Sequence, residues 1–236
     1  MKTTAKSSLP AAVLLALLLS LPAGCKTGVD TAQHTKMVVV ALDNTDSVNP
    51  KVFADMKDRQ INELILSKLR TRDSLNFLTL DEASGEPKVL TVEGPRHRWA
   101  KRLEDWVGKS LQPLKITRSK ATDVAGVIEY GRHLRELEGK AKKPHKVCIA
   151  IFTDGKVEGK QTPIEGELPE DVPVAFIGVD GRYEKALRTW ATGKAKLKET
   201  QLTIMRYDDY EVSKGQFIAT WGRPQNLTTA STGESP

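Results

Sequence analysis

Val38-Val39-Val40-Ala41-Leu42-Asp43-Asn44-Thr45-Asp46-Ser47 decides the fold. An unbroken apolar run, rich in β-branched residues, ends in an acid, and two hydroxyls follow at alternate positions. Such a run with polar flanks reads as a strand buried on both faces, the kind found in parallel sheets. Asp43, Thr45 and Ser47 then fall where the strand hands over to a loop. Open α/β sheets place their ligand site at that carboxyl edge. Oxygen-bearing side chains crowded there suit a hard cation such as Mg²⁺.

The flanking sequence extends this into alternating strands and helices. The first strand covers about Met37 to Leu42. Asn49-Pro50 opens a helix, since Pro is tolerated in a first turn. Phe53, Met56, Ile61, Leu64, Ile65 and Leu69 keep helical spacing to about Arg70. Strand, polar loop and amphipathic helix begin a βαβ unit. Leu75 to Leu80 and Lys88 to Val92 read as two short strands joined by Ser84-Gly85-Glu86-Pro87, an antiparallel hairpin at a sheet edge. Trp99, Leu103, Trp106 and Val107 give a helix whose Trp pair faces a core; a stacking platform for bases is the alternative. Thr122 is expected to cap a helix on which Val124, Val127, Ile128, Gly131 and Leu134 share a face. Lys146 to Phe152 is the second strongly buried strand and runs into Thr153-Asp154-Gly155. Residues 156–172, with Pro163, Gly166 and Pro169, form a long loop. A strand at Pro173 to Val179, a helix from Arg182 to about Ala191, a strand at Gln201 to Met205 and a helix at Glu211 to Trp221 complete the pattern.

The ends differ in character. Residues 1–24 read as an export signal: Lys2 and Lys6 precede an apolar core, Ala11 to Leu21, that is short for a bilayer span. Leu21-Pro22-Ala23-Gly24-Cys25 resembles the lipobox of bacterial lipoproteins, with Pro22 where that pattern usually has an aliphatic residue. The resemblance implies acylation at Cys25. An ordinary secretory signal is the alternative. Residues 25–35 then form a lipid-anchored tether, 36–224 the folded domain and 225–236 a flexible tail.

Composition narrows the function classes. Formal charge is +6, and loss of Lys2 and Lys6 leaves +4 spread over many elements, which speaks for solvated surface and against nucleic-acid binding. The chain has two cysteines. With Cys25 acylated, Cys148 stands alone in an apolar run and reads as a small buried hydrophobe, so no disulfide framework is expected. His34, His97, His133 and His145 show no ligand spacing. Asp208-Asp209 reads as a solvated acidic loop.

Asp43-x-Thr45-x-Ser47, Thr122 at a helix start and Asp154-Gly155 after a buried strand can meet at one sheet edge despite their separation in sequence. The order and placement of these three motifs resemble the von Willebrand factor type A domain, over about Met37 to Trp221. The resemblance implies a three-layer α/β fold: an open, mostly parallel six-stranded sheet with one antiparallel edge strand and helices on both faces. It also implies a metal-ion-dependent adhesion site. Thr45 and Ser47 would ligate Mg²⁺ or Mn²⁺ directly, Thr122 directly or through water, and Asp43 and Asp154 would hold coordinating waters. The expected function is a metal-dependent protein-binding module that reads a partner's acidic side chain, on a monomeric, lipid-anchored protein of the bacterial envelope. Lys26 after Cys25 leans toward the outer membrane; a secreted or periplasmic protein is the alternative. Thr45 stands where such sites often have Ser. A structural or assembly module of the same fold with a vestigial site is a second reading. A phosphatase of the haloacid dehalogenase type would use Asp43 as nucleophile, but needs an acid where this chain has Thr45. No enzyme activity is expected.

Overall fold

The computed structural model describes residues 35–81, 87–91, 96–141 and 145–220, without the side chains of 96–98, 216 and 218–220. The export signal, Cys25, the tether through His34, the side chain of His97, the turn at 84–86 and the tail lie outside the described residues.

Strand β1 (Lys36–Leu42) occupies the middle of the sheet because both of its faces are apolar. Val38, Val40 and Leu42 enter one core, and Val39 and Ala41 enter the other. It pairs in parallel with β2 (Ser74–Thr79) on one side and β4 (Lys146–Phe152) on the other. Strand β3 (Lys88–Thr91) lies antiparallel on β2 at the edge, as the hairpin reading expects. Strands β5 (Val174–Val179) and β6 (Leu202–Arg206) extend the parallel part beyond β4. The order β3-β2-β1-β4-β5-β6 is the doubly wound arrangement, in which strand order reverses between β1 and β4.

Helices cover both faces. The Val38 face packs against α1 (Pro50–Asp55), α2 (Ile61–Leu64), α3 (Arg96–Trp106) and α6 (Tyr210–Thr220) through Phe53, Ile61, Leu64, Trp99, Tyr210 and Phe217. The Val39 face packs against α4 (Val124–Gly139) and α5 (Glu184–Gly193) through Val124, Val127, Ile128, Leu187 and Ala191. Each fully buried Val or Leu contributes roughly 1.5–3 kcal/mol, so the two apolar layers dominate stability. Trp106 meets Phe77 edge-on, with ring centroids 5.7 Å apart at 85°. Trp99 is buried as well. The Trp pair therefore faces the core, and the base-stacking alternative falls. Cys148 is a free, buried thiol, as its apolar run predicts. Among the described residues no helix is long and apolar enough to cross a membrane.

The helix expected to run unbroken from Pro50 to about Arg70 is corrected in one respect. It passes through a π turn at Met56–Gln60 and ends in a 3₁₀ turn at Leu66–Lys68. The Ile61 amide bonds to the Met56 carbonyl five residues back. A regular α-helix turns positions five apart to different sides, whereas a π turn brings them onto one. Met56 and Ile61 are thereby both fully buried in the same core.

Met56 also fits a gap in the sheet. Gly178 interrupts β5 with φ +86°, at an irregularity in the β5–β6 register, and the Met56 side chain fills the space where a Cβ would stand. Gly178→Ala forces an L side chain into the left-handed region and displaces Met56. The expected cost is about 1–3 kcal/mol, read as a lower urea midpoint with an unchanged m-value.

Candidate metal centre

The site begins where β1 and β4 end side by side. The Asp43 amide continues the ladder by donating to the Phe152 carbonyl at 2.8 Å. This holds residue 43 beside residue 153. Thr153 Oγ1 donates to Asp43 Oδ2 at 2.7 Å, and Thr45 donates to Asp43 Oδ1 through Oγ1 at 2.7 Å and through its amide at 3.1 Å. Thr45 Oγ1 lies 3.1 Å from Ser47 Oγ. The Ser47 hydroxyl in turn bonds the Asp154 carboxylate, whose Oδ1 also accepts the Lys156 amide at 2.9 Å. Asp43, Thr45, Ser47 and Asp154 thus form one connected hydroxyl–carboxylate cluster. Gly155 makes the turn that follows with φ +91°, a conformation open to glycine, and its amide donates to Thr153 Oγ1 at 3.0 Å.

Segment 117–123 forms the other wall. Thr117 donates to the Asn44 carbonyl through its amide at 2.7 Å and its hydroxyl at 3.2 Å, and the Asp46 amide donates to the Ser119 carbonyl at 3.1 Å. On the opposite flank the Thr122 amide donates to the Glu158 carbonyl at 3.1 Å. The segment is thereby tied both to the loop after β1 and to the loop after β4. Ser47 and Thr122 stand at the same edge of the sheet.

One expectation about Thr122 is corrected. The helix cap is Asp123, whose Oδ1 accepts the Gly126 amide at 3.0 Å. Asp123 is further engaged by Thr162, through its amide at 2.9 Å and its hydroxyl. A carboxylate caps as well as a hydroxyl does, so the Thr122 side chain is left unspent. Thr122 is 1% exposed, and its Oγ1 has no hydrogen-bond partner among the described residues. Buried polar atoms are paired in the great majority of cases, and leaving one unpaired costs about 1–3 kcal/mol.

Electrostatics single out the same place. Asp43 has no exposed surface. Burial pushes its carboxyl up from 3.8 to about 6, against the lowering effect of the bonds from Thr153 and Thr45, and the Asp154 charge adds to the rise. Asp154 is also pushed up, first by burial. No basic side chain among the described residues bonds to either oxygen of Asp43. Among the described residues no group of three or more His, Cys, Asp and Glu is placed to hold a metal. The donors gathered here are mainly hydroxyls. His133 and His145 lie elsewhere, on Glu129 and Glu138. Asp208 and Asp209 are exposed beside Arg206.

Two residues escape sequence reasoning. Thr153 is visible in Thr153-Asp154-Gly155, but its role depends on β1 and β4 being neighbours. Gln161 sits in a long loop without periodicity, where nothing in the sequence marks it.

No protein-family model matches the chain, and no curated protein matches it. Solved structures do. Proximal thread matrix protein 1 from the mussel byssus superposes with a TM-score of 0.51 at 14% identity, over 78% of this chain and 47% of that one. A second structure of that protein, described as having a zinc-occupied metal-ion-dependent adhesion motif, gives 0.49 at 13% identity with the same coverage. A manganese-loaded TRAP protein of Plasmodium vivax gives 0.46 at 12% identity, over 78% of this chain and 74% of that one. The chain spans about half the length of the mussel protein. The fold is that of von Willebrand factor A-type domains: five parallel strands, one antiparallel edge strand and flanking helices.

The raised Asp43 carboxyl fixes a pH dependence. The folded state keeps a proton that the unfolded chain gives up, so the group's contribution to stability falls as pH rises from 3.8 to about 6 and stays low above it. Asp55, Glu129, Asp180 and Glu211 are held below their ordinary values, so their contributions are lost only on further acidification. With chelator present, the protein melts at a lower temperature at pH 7 than at pH 5, and Asp43→Asn reduces that difference, the raised Asp154 carboxyl keeping a share of the same sign. Calorimetry at the two pH values checks it.

Proposed function

We propose that this sheet edge is a divalent-cation centre of the metal-ion-dependent adhesion type, and that it binds another protein through an acidic side chain. The observation that carries the reading is the buried Thr122 hydroxyl without a partner, at the edge where two buried carboxylates stand among hydroxyls with no basic side chain bonded to Asp43. A cation resolves both costs, since it takes up the spare oxygen and offsets the buried negative charge.

The donor set fits Mg²⁺ or Mn²⁺, hard ions that accept oxygen ligands and retain waters. Thr45 and Ser47 are the direct ligands in this reading, Thr122 joins directly or through water, and Asp43 and Asp154 hold coordinating waters. When bound, the ion supplies Lewis acidity toward a carboxylate. Neutral hydroxyl ligands leave most of its charge uncompensated, which favours a negatively charged partner. The rest is done by the chain. Thr153 and the Thr45 amide orient Asp43, and the β1–β4 ladder fixes the spacing between the loops after them. Acylated Cys25 would hold the module at a membrane of the bacterial envelope, with residues 26–35 as tether.

A phosphatase role for Asp43 is disfavoured by its bonding. Both of its oxygens accept hydrogen bonds, which lowers the nucleophilicity of a carboxylate, and Thr45 replaces the acid that would protonate a leaving group. The vestigial-site reading is separated by titration. Calorimetric titration with MgCl₂ and MnCl₂ is expected to show one saturable site. Asp43→Ala eliminates it, and Thr122→Ala weakens it about tenfold or more. Absence of heat, with no thermal shift on adding either ion, overturns the metal reading. Metabolic labelling with palmitate, lost in Cys25→Ser, tests the anchor separately.

A further inference from the structure

Thr122 lies outside the strands, and the sheet reaches its neighbour through one bond, from the Asp123 amide to the Leu80 carbonyl at 3.1 Å. The side chain of Gln161 adds a tie at Thr122 itself and at the first turn of the helix that follows. Its Nε2 donates to the Thr122 carbonyl at 2.7 Å and to the Glu158 carbonyl at 3.0 Å. Its Oε1 accepts the Ala125 amide at 3.2 Å, a first-turn amide of α4 with no carbonyl available within the helix. The Glu158 carbonyl also accepts the Thr122 amide. One amide side chain therefore bridges the two loops beside Thr122, while the Thr122 hydroxyl, 1% exposed, has no partner among the described residues.

From this geometry we infer that Gln161 is a positioning residue for the cation centre: it sets the aim of the Thr122 hydroxyl by holding the Thr122 carbonyl, the Ala125 amide and the Glu158 carbonyl that receives the Thr122 amide. The inference rests on the cation reading of the site. Glutamine suits the task because the clamp needs one donor group for two carbonyls and one acceptor for an amide, and a primary amide carries both. A carboxylate lacks the donors, and an apolar side chain of equal length lacks all of them. Asp123 and Thr162 form a second tie between the same two loops. Removal of Gln161 thus loosens Thr122 without releasing the loop.

Two measurements on the full chain test this, with Gln161→Ala and the volume-conserving Gln161→Met. In metal-free protein, hydrogen exchange at the Ala125 amide is expected to speed up roughly tenfold, while amides near the middle of α4 keep their protection. In titrations with MnCl₂, either substitution weakens binding about tenfold, as loss of a group that orients a ligand does. In a Thr122→Ala background the same substitutions have no further effect, because the residue they orient is gone. Equal weakening in both backgrounds overturns the positioning role, since general damage would act on either. Unchanged Ala125 exchange, with wild-type Mn²⁺ binding intact, overturns the inference while the cation reading stands. Faster exchange in a protein whose wild type binds no Mn²⁺ overturns the cation reading and, with it, the role assigned to Gln161.

Discussion

Asp43 is a carboxylate with no exposed surface whose oxygens are satisfied by hydroxyls and one backbone amide. Burying an acid without a basic partner is expensive, and the chain meets that cost by shifting the proton affinity upward and by supplying donors from two loops. The donors arrive from different strands. Thr45 follows β1, and Thr153 follows β4, more than a hundred residues later. The acid is held only while β1 and β4 stay in register from Lys36 opposite Lys146 to Leu42 opposite Phe152. The apolar alternation that places Val38, Val40 and Leu42 in one core and Val39 and Ala41 in the other is therefore also what assembles the polar cluster. A slip of one residue would exchange the faces and separate Asp43 from Thr153.

The sheet order explains why the cluster lies here. Strand order reverses between β1 and β4, so the loops leaving their carboxyl ends diverge and open a crevice. One wall of that crevice is backed by paired strands. The other, segment 117–123, has no strand on either side. It is held by backbone bonds to Asn44, Asp46, Leu80 and Glu158 and by the side chains of Thr117, Asp123 and Gln161. The centre combines a wall fixed by the core with a wall fixed by individual polar contacts.

Much of this was readable from residues alone. The buried strands, their parallel arrangement, the edge hairpin and the meeting of three loops follow from unbroken apolar runs that end in polar signals, since a run buried on both faces has few other homes. What escaped depends on detail beyond periodicity. Thr122 and Asp123 are both good caps, and sequence gives no reason to prefer the second; the outcome depends on Thr162, which arrives from a distant loop. The π turn at Met56–Gln60 is legible only once Gly178 is known to leave room for Met56. Gln161 lies among prolines and acids with no pattern, and its side chain joins three backbone groups that only the fold brings together.

The assignment of caps carries the chemical consequence. Had Thr122 capped α4, its hydroxyl would be committed to the helix and the edge would hold one donor fewer. With Asp123 at the cap, its carboxylate is committed to Gly126 and Thr162, and the Thr122 hydroxyl stays uncommitted. In the proposed reading the edge then gains an uncharged ligand from Thr122 and no carboxylate from Asp123. For a dipositive ion this lowers intrinsic affinity, because fewer charges oppose its own, yet leaves more of its field directed at solvent. In the proposed reading such a centre would hold its ion weakly when alone and more tightly once an external carboxylate completed the sphere. Cation and partner would then reinforce one another, each raising the affinity of the other by the same factor.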